Sequence, residues 1–376
     1  MRNLQPIGAL IGRMEAAVTT PPPPRGNCGG YQSSALDWIR RLFTFGLLWL
    51  LLFAFRLCPS FYAFPNSKMP MPLVRLAFPR NVFLLALFCR FASAEFRPHF
   101  SQWLAQRFGE DVRNNLERRD LGIWGSFGGR TAAEEPIRNQ PVVFVHGVSN
   151  RACDKMKQSA DFFFNHGYTF SELYGTTYAN GDQGNPLQWA AYSMKCHYVK
   201  LVRALIVAVR LYTGKQVDVV AYSLGVPVSR KAILGGICVD TGENLGGSLT
   251  KYVDTFIGVA GPNHGISLQL GALSVPGCLL SVLPVCNAQT GLYSGLCPAE
   301  SAFLQDINRQ QAYEGQNRFS IYSTRDQVVG HKVCGRVTSQ LPGQHGEKVY
   351  DNADHDGAFL HSFPVQHAMV LNHVLI

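Results

Sequence analysis

Ser223 is the residue of this sequence best placed to act as a nucleophile. It lies in the run Ala221-Tyr222-Ser223-Leu224-Gly225, between an apolar stretch that indicates a buried strand and a run with helical spacing that extends to about Leu234. A strand-to-helix turn that exposes a serine hydroxyl is sharp, so the positions two before and two after the serine must be small. Ala221 and Gly225 meet this requirement, although the usual motif has glycine at both. An ordinary loop serine is the alternative, and the flanking strand and helix argue against it.

The acid of such a site should come later in the chain, directly after a strand. A serine hydroxyl is a weak nucleophile until a base takes its proton and an acid orients that base. Asp326 comes three residues after the predicted strand Phe319–Ser323, just ahead of Val328. Asp306 and Asp351 are weaker candidates because neither directly follows a strand. Asp326 is therefore the predicted acid.

The base should be a histidine in a loop before the last helix, which is predicted over about Pro364 to Leu375. His355 fits, because it lies in the turn-forming run Asp354-His355-Asp356-Gly357. His367 and His373 fall inside the last predicted helix, and His331 is too close behind Asp326. His355 is chosen from the six histidines that follow Asp326, which are His331, His345, His355, His361, His367 and His373.

Acyl transfer also needs two N–H groups that hold the developing oxyanion. One should be the backbone N–H of Leu224, directly after the nucleophile. The other should follow the first core strand, where Pro141 to Val145 runs straight into His146-Gly147-Val148. We assign it to the N–H of Val148, while His146 and Gly147 shape the loop.

The elements that must position these residues alternate between apolar strands and helical runs. This alternation predicts a mostly parallel sheet with helices on both faces, in one domain of residues 95 to 376. Pro227 falls in the first turn of its helix, where a missing N–H is tolerated. The predicted strands are 141–145, 217–221, 253–260 and 319–323, and the predicted helices are 152–165, 187–212, 224–234 and 364–375.

The charge of the chain is concentrated in its first 94 residues. The net charge is +9, but residues 1–94 hold ten Lys and Arg against two Asp and Glu, which leaves +1 for the remainder. A nucleic-acid-binding protein needs its basic patch on the folded domain. Because residues 95–376 are almost neutral, we expect no nucleic-acid partner.

Residues 1–94 are expected to be a leader outside the fold. Val82–Cys89 is a short apolar stretch between arginines, and it is followed by Ala92-Ser93-Ala94, which is typical of a signal-peptide cleavage site. This predicts a secreted, extracellular protein whose true start is Met69 or Met71. The 14-residue apolar segment Leu42–Phe55 is the alternative, an uncleaved membrane anchor, although it is short for a span. A pair of buried core helices is the third interpretation.

Seven of the ten cysteines follow residue 94, and none forms a C-x-x-C pair, so the sequence does not support a zinc cluster. Cysteines behind a signal peptide favour disulfide bonds. Cys286 and Cys297 flank a turn-rich run and are a candidate local pair. Because seven is odd, one cysteine should be free or paired between chains.

Four motifs follow one another in the chain, Val145-His146-Gly147-Val148, Ala221-Tyr222-Ser223-Leu224-Gly225, Ala260-Gly261-Pro262-Asn263-His264-Gly265 and Asp354-His355-Asp356. In this order they resemble those of the class 2 lipases, most of all the nematode secreted members and more distantly the small Bacillus lipases. The resemblance covers most of residues 95–376 and implies an α/β-hydrolase fold. It implies hydrolysis of carboxylic esters of lipids, as by a triacylglycerol lipase or carboxylesterase, with Ser223, Asp326, His355 and the Val148 loop in the family's roles and no metal or organic cofactor.

The chain also departs from that family. The leader is unlike a simple signal peptide, the stretch Leu268–Val285 is longer than expected, and Gln269 stands where a cysteine is anticipated. The disulfide pairing and any lid in this region therefore stay open.

Three other functions remain compatible with the sequence. The same machinery could act as an acyltransferase, which an alcohol acceptor would reveal. The chain could be a non-catalytic lipid-binding descendant, although an intact set of Ser, Asp and His argues against this. It could also be a membrane-anchored interaction protein that uses Leu42–Phe55, which detergent partitioning would detect.

Overall fold

The computed structural model of the protein describes residues 95–181, 191–270, 273–280, 282–297 and 299–375. The cleavage site after Ala94 and the segment Leu42–Phe55 lie outside the described residues. Within the described ranges, no helix has both the length and the apolar character that crossing a membrane requires.

The strands alternate with helices, as the sequence pattern predicts, and two extra hairpins are inserted late in the chain. In chain order the strands are β1 (Ser126–Gly128), β2 (Val142–Val145), β3 (Leu173–Thr176), β4 (Val217–Tyr222), β5 (Val253–Val259), β6 (Ser267–Leu270), β7 (Leu273–Pro276), β8 (Asn317–Ser323), β9 (Lys332–Val333), β10 (Arg336–Val337) and β11 (Gly346–Tyr350). The helices are α1 (Pro98–Phe108), α2 (Glu110–Glu117), α3 (Lys157–Asn165), α4 (Cys196–Thr213), α5 (Gly225–Leu234), α6 (Ala302–Arg309), α7 (His355–Leu360) and α8 (Phe363–Asn372).

Seven strands form one sheet in the order β1-β3-β2-β4-β5-β8-β11. Edge strand β1 is antiparallel to β3, and all other neighbours in this sheet are parallel. Strands β6 and β7 form one separate hairpin, and β9 and β10 form another. The predicted fold class, an α/β-hydrolase fold with a mostly parallel sheet, is confirmed.

Helices cover both faces of the sheet, and strand β2 shows why. Val143 and Val145 pack with residues of α4 and α5, whereas Val142 and Phe144 pack with residues of α3 and α8. Successive side chains of a strand point to opposite faces, so a strand buried on both faces must be apolar at every position. This accounts for the uninterrupted apolar run that marks the strand in the sequence.

Two predicted helices begin later than their sequence pattern indicates. The helix predicted from residue 152 is regular only from Lys157, because Asp154 has a non-helical backbone with φ −92° and ψ −116°. The helix predicted from residue 187 begins at Cys196. Residues 191–195 leave the helical path, and the Met194 N–H donates to the carbonyl oxygen of Thr290 at 2.7 Å instead.

The cysteines pair as Cys196–Cys238, Cys278–Cys286 and Cys297–Cys334. The predicted Cys286–Cys297 pair is therefore wrong. Cys286 closes a short loop back to Cys278, and Cys297 reaches the tip of the β9–β10 hairpin, whose position the sequence pattern does not reveal. Among the described residues, Cys153 is the free cysteine, in agreement with the odd count.

A buried ion pair holds the segment that follows β5. The guanidinium of Arg230 donates to the carboxylate of Glu314 at 2.8 Å, and both side chains are fully buried. The same guanidinium donates to Asn263 Oδ1 at 3.2 Å and to the carbonyl oxygen of Ile307 at 2.9 Å. Asn263 belongs to the motif Ala260–Gly265 noted in the sequence. It thus connects α5 to the loop after β5, which lies beside Ser223.

Candidate active site

Four of the five predicted functional positions lie just beyond the carboxyl ends of parallel strands in the same sheet. Val148 follows β2, Ser223 follows β4, Asp326 follows β8, and His355 follows β11. Because the carboxyl ends of parallel strands share one edge of the sheet, residues far apart in sequence meet there. Strand β11 was not predicted from the sequence, so this explanation for the position of His355 comes only from the structure.

Ser223 occupies a strained turn. Its backbone has φ 52°, in the left-handed region that non-glycine residues rarely adopt and that costs about 1–3 kcal/mol. Neighbouring chains approach closely: a Cβ on Gly225 would lie 2.4 Å from the carbonyl oxygen of His146, and a Cβ on Gly147 would lie 2.8 Å from Cβ of Ser223. Glycine is therefore required at both positions for the oxyanion loop to rest against the serine turn.

A chain of hydrogen bonds joins the predicted nucleophile, base and acid. His355 Nε2 lies 3.0 Å from Ser223 Oγ, and His355 Nδ1 lies 2.6 Å from Asp326 Oδ2. The other carboxylate oxygen of Asp326 accepts the backbone N–H groups of Val328 and Val329, each at 2.9 Å. All three side chains are buried. This arrangement can deprotonate the serine hydroxyl and stabilise the imidazolium that results.

Two hydrogen bonds, one made by the preceding residue and one by His355 itself, hold the backbone around His355 in place. Asp354 caps helix α7, since its Oδ1 accepts the Gly357 N–H at 2.6 Å. The His355 N–H itself donates to the side chain of Gln327 at 3.2 Å. The loop that contains Asp326, the predicted acid, therefore also binds the backbone of His355, the predicted base.

The rival residues lie elsewhere. Asp306 pairs with Lys231 at 2.7 Å, and Asp351 is exposed. His345 lies beside Arg318, at the opposite end of β8 from Asp326, and His373 lies 3.1 Å from Asp254 at the start of β5. His367 packs against the ring of Phe163.

The predicted oxyanion donors flank the same serine. Val148, Ser223 and Leu224 together line one cavity. Within the part of the chain that the structure describes, the backbone N–H groups of Val148 and Leu224 donate to no backbone carbonyl. Both N–H groups therefore remain candidates for the oxyanion donors that acyl transfer needs.

His146 holds the peptide group that carries one of these candidate donors, the N–H of Val148. Its Nε2 accepts the backbone N–H of Tyr178 at 3.2 Å, so the proton of the neutral ring is on Nδ1, which donates to the carbonyl oxygen of Gly147 at 2.7 Å. Burial lowers the pKa of His146 to about 4, which keeps the ring neutral. The Gly147 carbonyl and the Val148 N–H belong to one planar trans peptide and point in opposite directions. Holding the carbonyl therefore fixes the direction of the N–H.

Replacing His146 by alanine is expected to lower kcat by about 10- to 100-fold with little change in KM, because a lost oxyanion donor costs about 100- to 1000-fold and here the donor is only released. Steady-state kinetics on a soluble ester would measure this. His146→Gln, which keeps a donor and an acceptor, should recover part of the loss. The matched control is His197→Ala, which removes a half-buried histidine that is tilted against the ring of Tyr198 and lines neither cavity at Ser223. An equal loss in both variants would show a general packing effect instead.

Two cavities meet at Ser223. The larger, of about 510 Å³, is mainly apolar and includes Pro262, Ile266 and Leu292. The smaller, of about 290 Å³, is lined by His355 and by the polar side chains of Ser149, Asn150, Lys155 and Asp356. Val148, Ser223, Gln327 and Val328 line both cavities.

Sequence reasoning missed a polar cluster in the smaller cavity. Lys155 Nζ and the hydroxyl of Tyr222 both donate to Asp356 Oδ1, each at 2.5 Å. Tyr222 precedes Ser223 and Asp356 follows His355, so adjacency to the motif was a usable signal for these two. Lys155 is brought in by the break at Asp154, for which the sequence gives no signal.

Residues 139–368, well over half of the chain, match the family described as Lipase (class 2). No curated protein matches the chain.

Among solved structures, the chain is similar to Aspergillus fumigatus lipase B, with 14% identity and a TM-score of 0.39 over 66% of this chain and 55% of that one. It is also similar to Bacillus licheniformis lipase BlEst2. The propeptide form gives 17% identity and a TM-score of 0.42 over 66% and 54% of the two chains, and the mature form gives 18% and 0.39 over 65% and 97%. The chain thus spans about half the length of the first two structures.

Proposed function

The chain belongs to the class 2 lipase family, and from this premise we propose that it hydrolyses carboxylic esters of lipids through an acyl-enzyme on Ser223. The observation that carries the proposal is the continuous hydrogen-bonded chain from Asp326 through His355 to Ser223. Lipid catabolism is the role that we propose for the activity.

In the proposed reaction His355 takes the proton of Ser223, and the serine oxygen attacks the ester carbonyl. The N–H groups of Val148 and Leu224 hold the oxyanion. The bond to the alcohol oxygen then breaks, and the alcohol leaves with the proton from His355. Water, deprotonated by His355, cleaves the acyl-enzyme and releases the carboxylic acid. Each step uses only side chains and backbone groups that meet at the carboxyl edge of the sheet.

The larger cavity suits the hydrocarbon chain of the acyl group. Its lining includes Ile266, Val285 and Leu292, and burying a methylene group contributes about 0.8 kcal/mol. The segment that supplies these residues also exposes apolar side chains to solvent, which is typical of a surface that meets lipid or another apolar partner. We therefore propose that the substrate is taken from a lipid–water interface. These exposed side chains are Leu268, Leu279, Leu280, Val282, Leu283 and Leu296.

We also propose that the protein is secreted and that residues 95–376 form its catalytic domain. Three disulfide bonds within the described residues support an oxidising compartment. The signal-like run that ends at Ala94 supports the same destination.

Hydrolysis of nitrophenyl esters of increasing acyl length tests the function. We expect kcat/KM to rise from acetate towards octanoate, because each methylene group that enters the cavity gains up to about fourfold. Leu292→Trp should shift the preference to shorter chains, whereas Leu296→Trp, on an exposed leucine of the same segment, should not. Release of octanoate must be followed directly. Octanoylglycerol formed in the presence of glycerol, without free acid, would indicate an acyltransferase. A folded protein that binds these esters without turnover would contradict the enzyme proposal.

A further inference from the structure

The two cavities beside Ser223 differ in which catalytic group they contain. His355 lines the smaller cavity and is absent from the described lining of the larger one, whereas Leu224, an oxyanion donor, lines only the larger one. The acyl part and the alcohol part of an ester bound at Ser223 would therefore contact different catalytic groups, one part in each cavity.

This difference assigns the two halves of the substrate. The leaving oxygen must receive a proton from His355 Nε2, so it has to lie within hydrogen-bonding reach of that nitrogen. The alcohol part of the ester then extends into the smaller cavity, and the acyl part occupies the apolar one. The lining of the smaller cavity accordingly decides which alcohols fit.

Several polar side chains are among the residues that line the smaller cavity, and two of them, Lys155 and Asp356, form a pair of opposite charges. Burial alone would raise the pKa of Asp356, but hydrogen bonds from Lys155 and Tyr222 outweigh this and lower it, so the carboxylate is ionised at neutral pH. Both of these donors reach Oδ1, and the structure shows no donor to Oδ2 among the described residues. The Asp356 side chain is 50% exposed and that of Lys155 is 23% exposed. Lys155 has three N–H donors, of which one is given to Asp356.

We propose that Lys155 and Asp356 form an alcohol subsite that favours esters whose alcohol carries free hydroxyl groups next to the ester, such as monoacylglycerols. A hydroxyl both donates and accepts, so it can donate to Asp356 Oδ2 and accept from Lys155 Nζ at once. This inference rests on the proposed function and names the substrate class of the same site.

The charge balance of the subsite favours a neutral polyol over an anionic headgroup. The positive charge of Lys155 lies 2.5 Å from Asp356 Oδ1 and is offset by that carboxylate. A phosphate in the cavity would meet the half-exposed carboxylate as well as the ammonium group. A plain alkyl alcohol would displace water from the charged groups of Lys155 and Asp356 without forming hydrogen bonds to them, which is unfavourable.

A matched pair of soluble esters tests the proposal on the full-length protein. 1-Monooctanoylglycerol and ethyl octanoate share an acyl chain, so the ratio of their kcat/KM values reports the alcohol part alone. We expect wild type to favour the glycerol ester by at least about tenfold, since a hydrogen bond to a charged group contributes roughly 1.5–3 kcal/mol. Both assays are run below the solubility limit, so that the lipid interface does not contribute.

Lys155→Met should lower that ratio by about tenfold or more. Lys157→Met is the matched control, because Lys157 makes the same kind of ion pair two positions on, with Asp161, and does not line the smaller cavity. Its ratio should remain that of wild type.

The outcomes separate this proposal from the function on which it rests. Wild type that hydrolyses neither ester contradicts the proposed function itself. Wild type that hydrolyses both with equal kcat/KM overturns the alcohol subsite and leaves the hydrolase standing. A preference for 1-octanoylglycerol 3-phosphate that is lost in Lys155→Met would show an anion site and would also overturn it. If Lys155→Met fails to fold, the wild-type ratio alone decides.

Discussion

Ser223→Ala is expected to reduce ester turnover by about a million-fold, the size of loss seen when the nucleophile of a serine triad is removed. Without the hydroxyl no acyl-enzyme forms, and only the oxyanion donors and substrate binding remain to assist water. A fluorophosphonate probe followed by peptide mass spectrometry should label Ser223 in wild type and leave the variant unlabelled. The protein should stay folded, since alanine tolerates φ 52° no worse than serine does.

Two further variants separate the loss of the nucleophile from a general effect on the fold. Ser229→Ala is the matched control, because its buried hydroxyl lies on helix α5, which directly follows the Ser223 turn, and has no hydrogen-bond partner among the described residues. Its turnover should equal that of wild type. Ser223→Gly should be as inactive as alanine, yet more stable by about 1 kcal/mol because glycine relieves the left-handed strain. Turnover that survives in Ser223→Ala would refute the nucleophile assignment.

Asp326→Asn is expected to lower kcat by about ten-thousand-fold while leaving the fold intact. The structure explains the size of this effect. Oδ1 of Asp326 accepts two backbone N–H groups, so an asparagine must keep its carbonyl oxygen there. Its NH₂ group then faces His355 Nδ1, which can only accept, and the ring proton moves to Nε2. In that tautomer the ring cannot take the proton of Ser223.

Single-turnover kinetics would measure the chemical step of this variant, and thermal unfolding would check its stability. Asp351→Asn removes an exposed carboxylate from the loop after β11 and serves as the control, with an expected kcat equal to that of wild type. Comparable losses in both variants, or a loss below tenfold in Asp326→Asn, would contradict the assignment of Asp326 as the acid.

The sequence alone determined the features that depend on neighbouring residues. The turn at Ser223 is encoded by a buried strand, a small residue on each side and a helix, all within about 20 residues of each other. The two-sided burial of β2 is likewise visible as an unbroken apolar run. Asp326 and His355 could be chosen because the acid directly follows a strand and the base precedes the last helix.

Only the tertiary structure decided what depends on residues distant in the chain. Cys297 is 37 positions from Cys334, and the local Cys286–Cys297 pair that sequence proximity favoured does not form, because Cys297 meets Cys334 at the tip of the β9–β10 hairpin and Cys286 meets Cys278. Lys155 lies 201 positions from Asp356, and a backbone break at Asp154 brings the two together. Ser223 itself was identified from its own pentapeptide. An apolar cavity lies on one side of it, and a cavity lined in part by the charged side chains of Lys155 and Asp356 lies on the other. Both follow from loops that converge at the carboxyl edge of a parallel sheet, which no local pattern specifies.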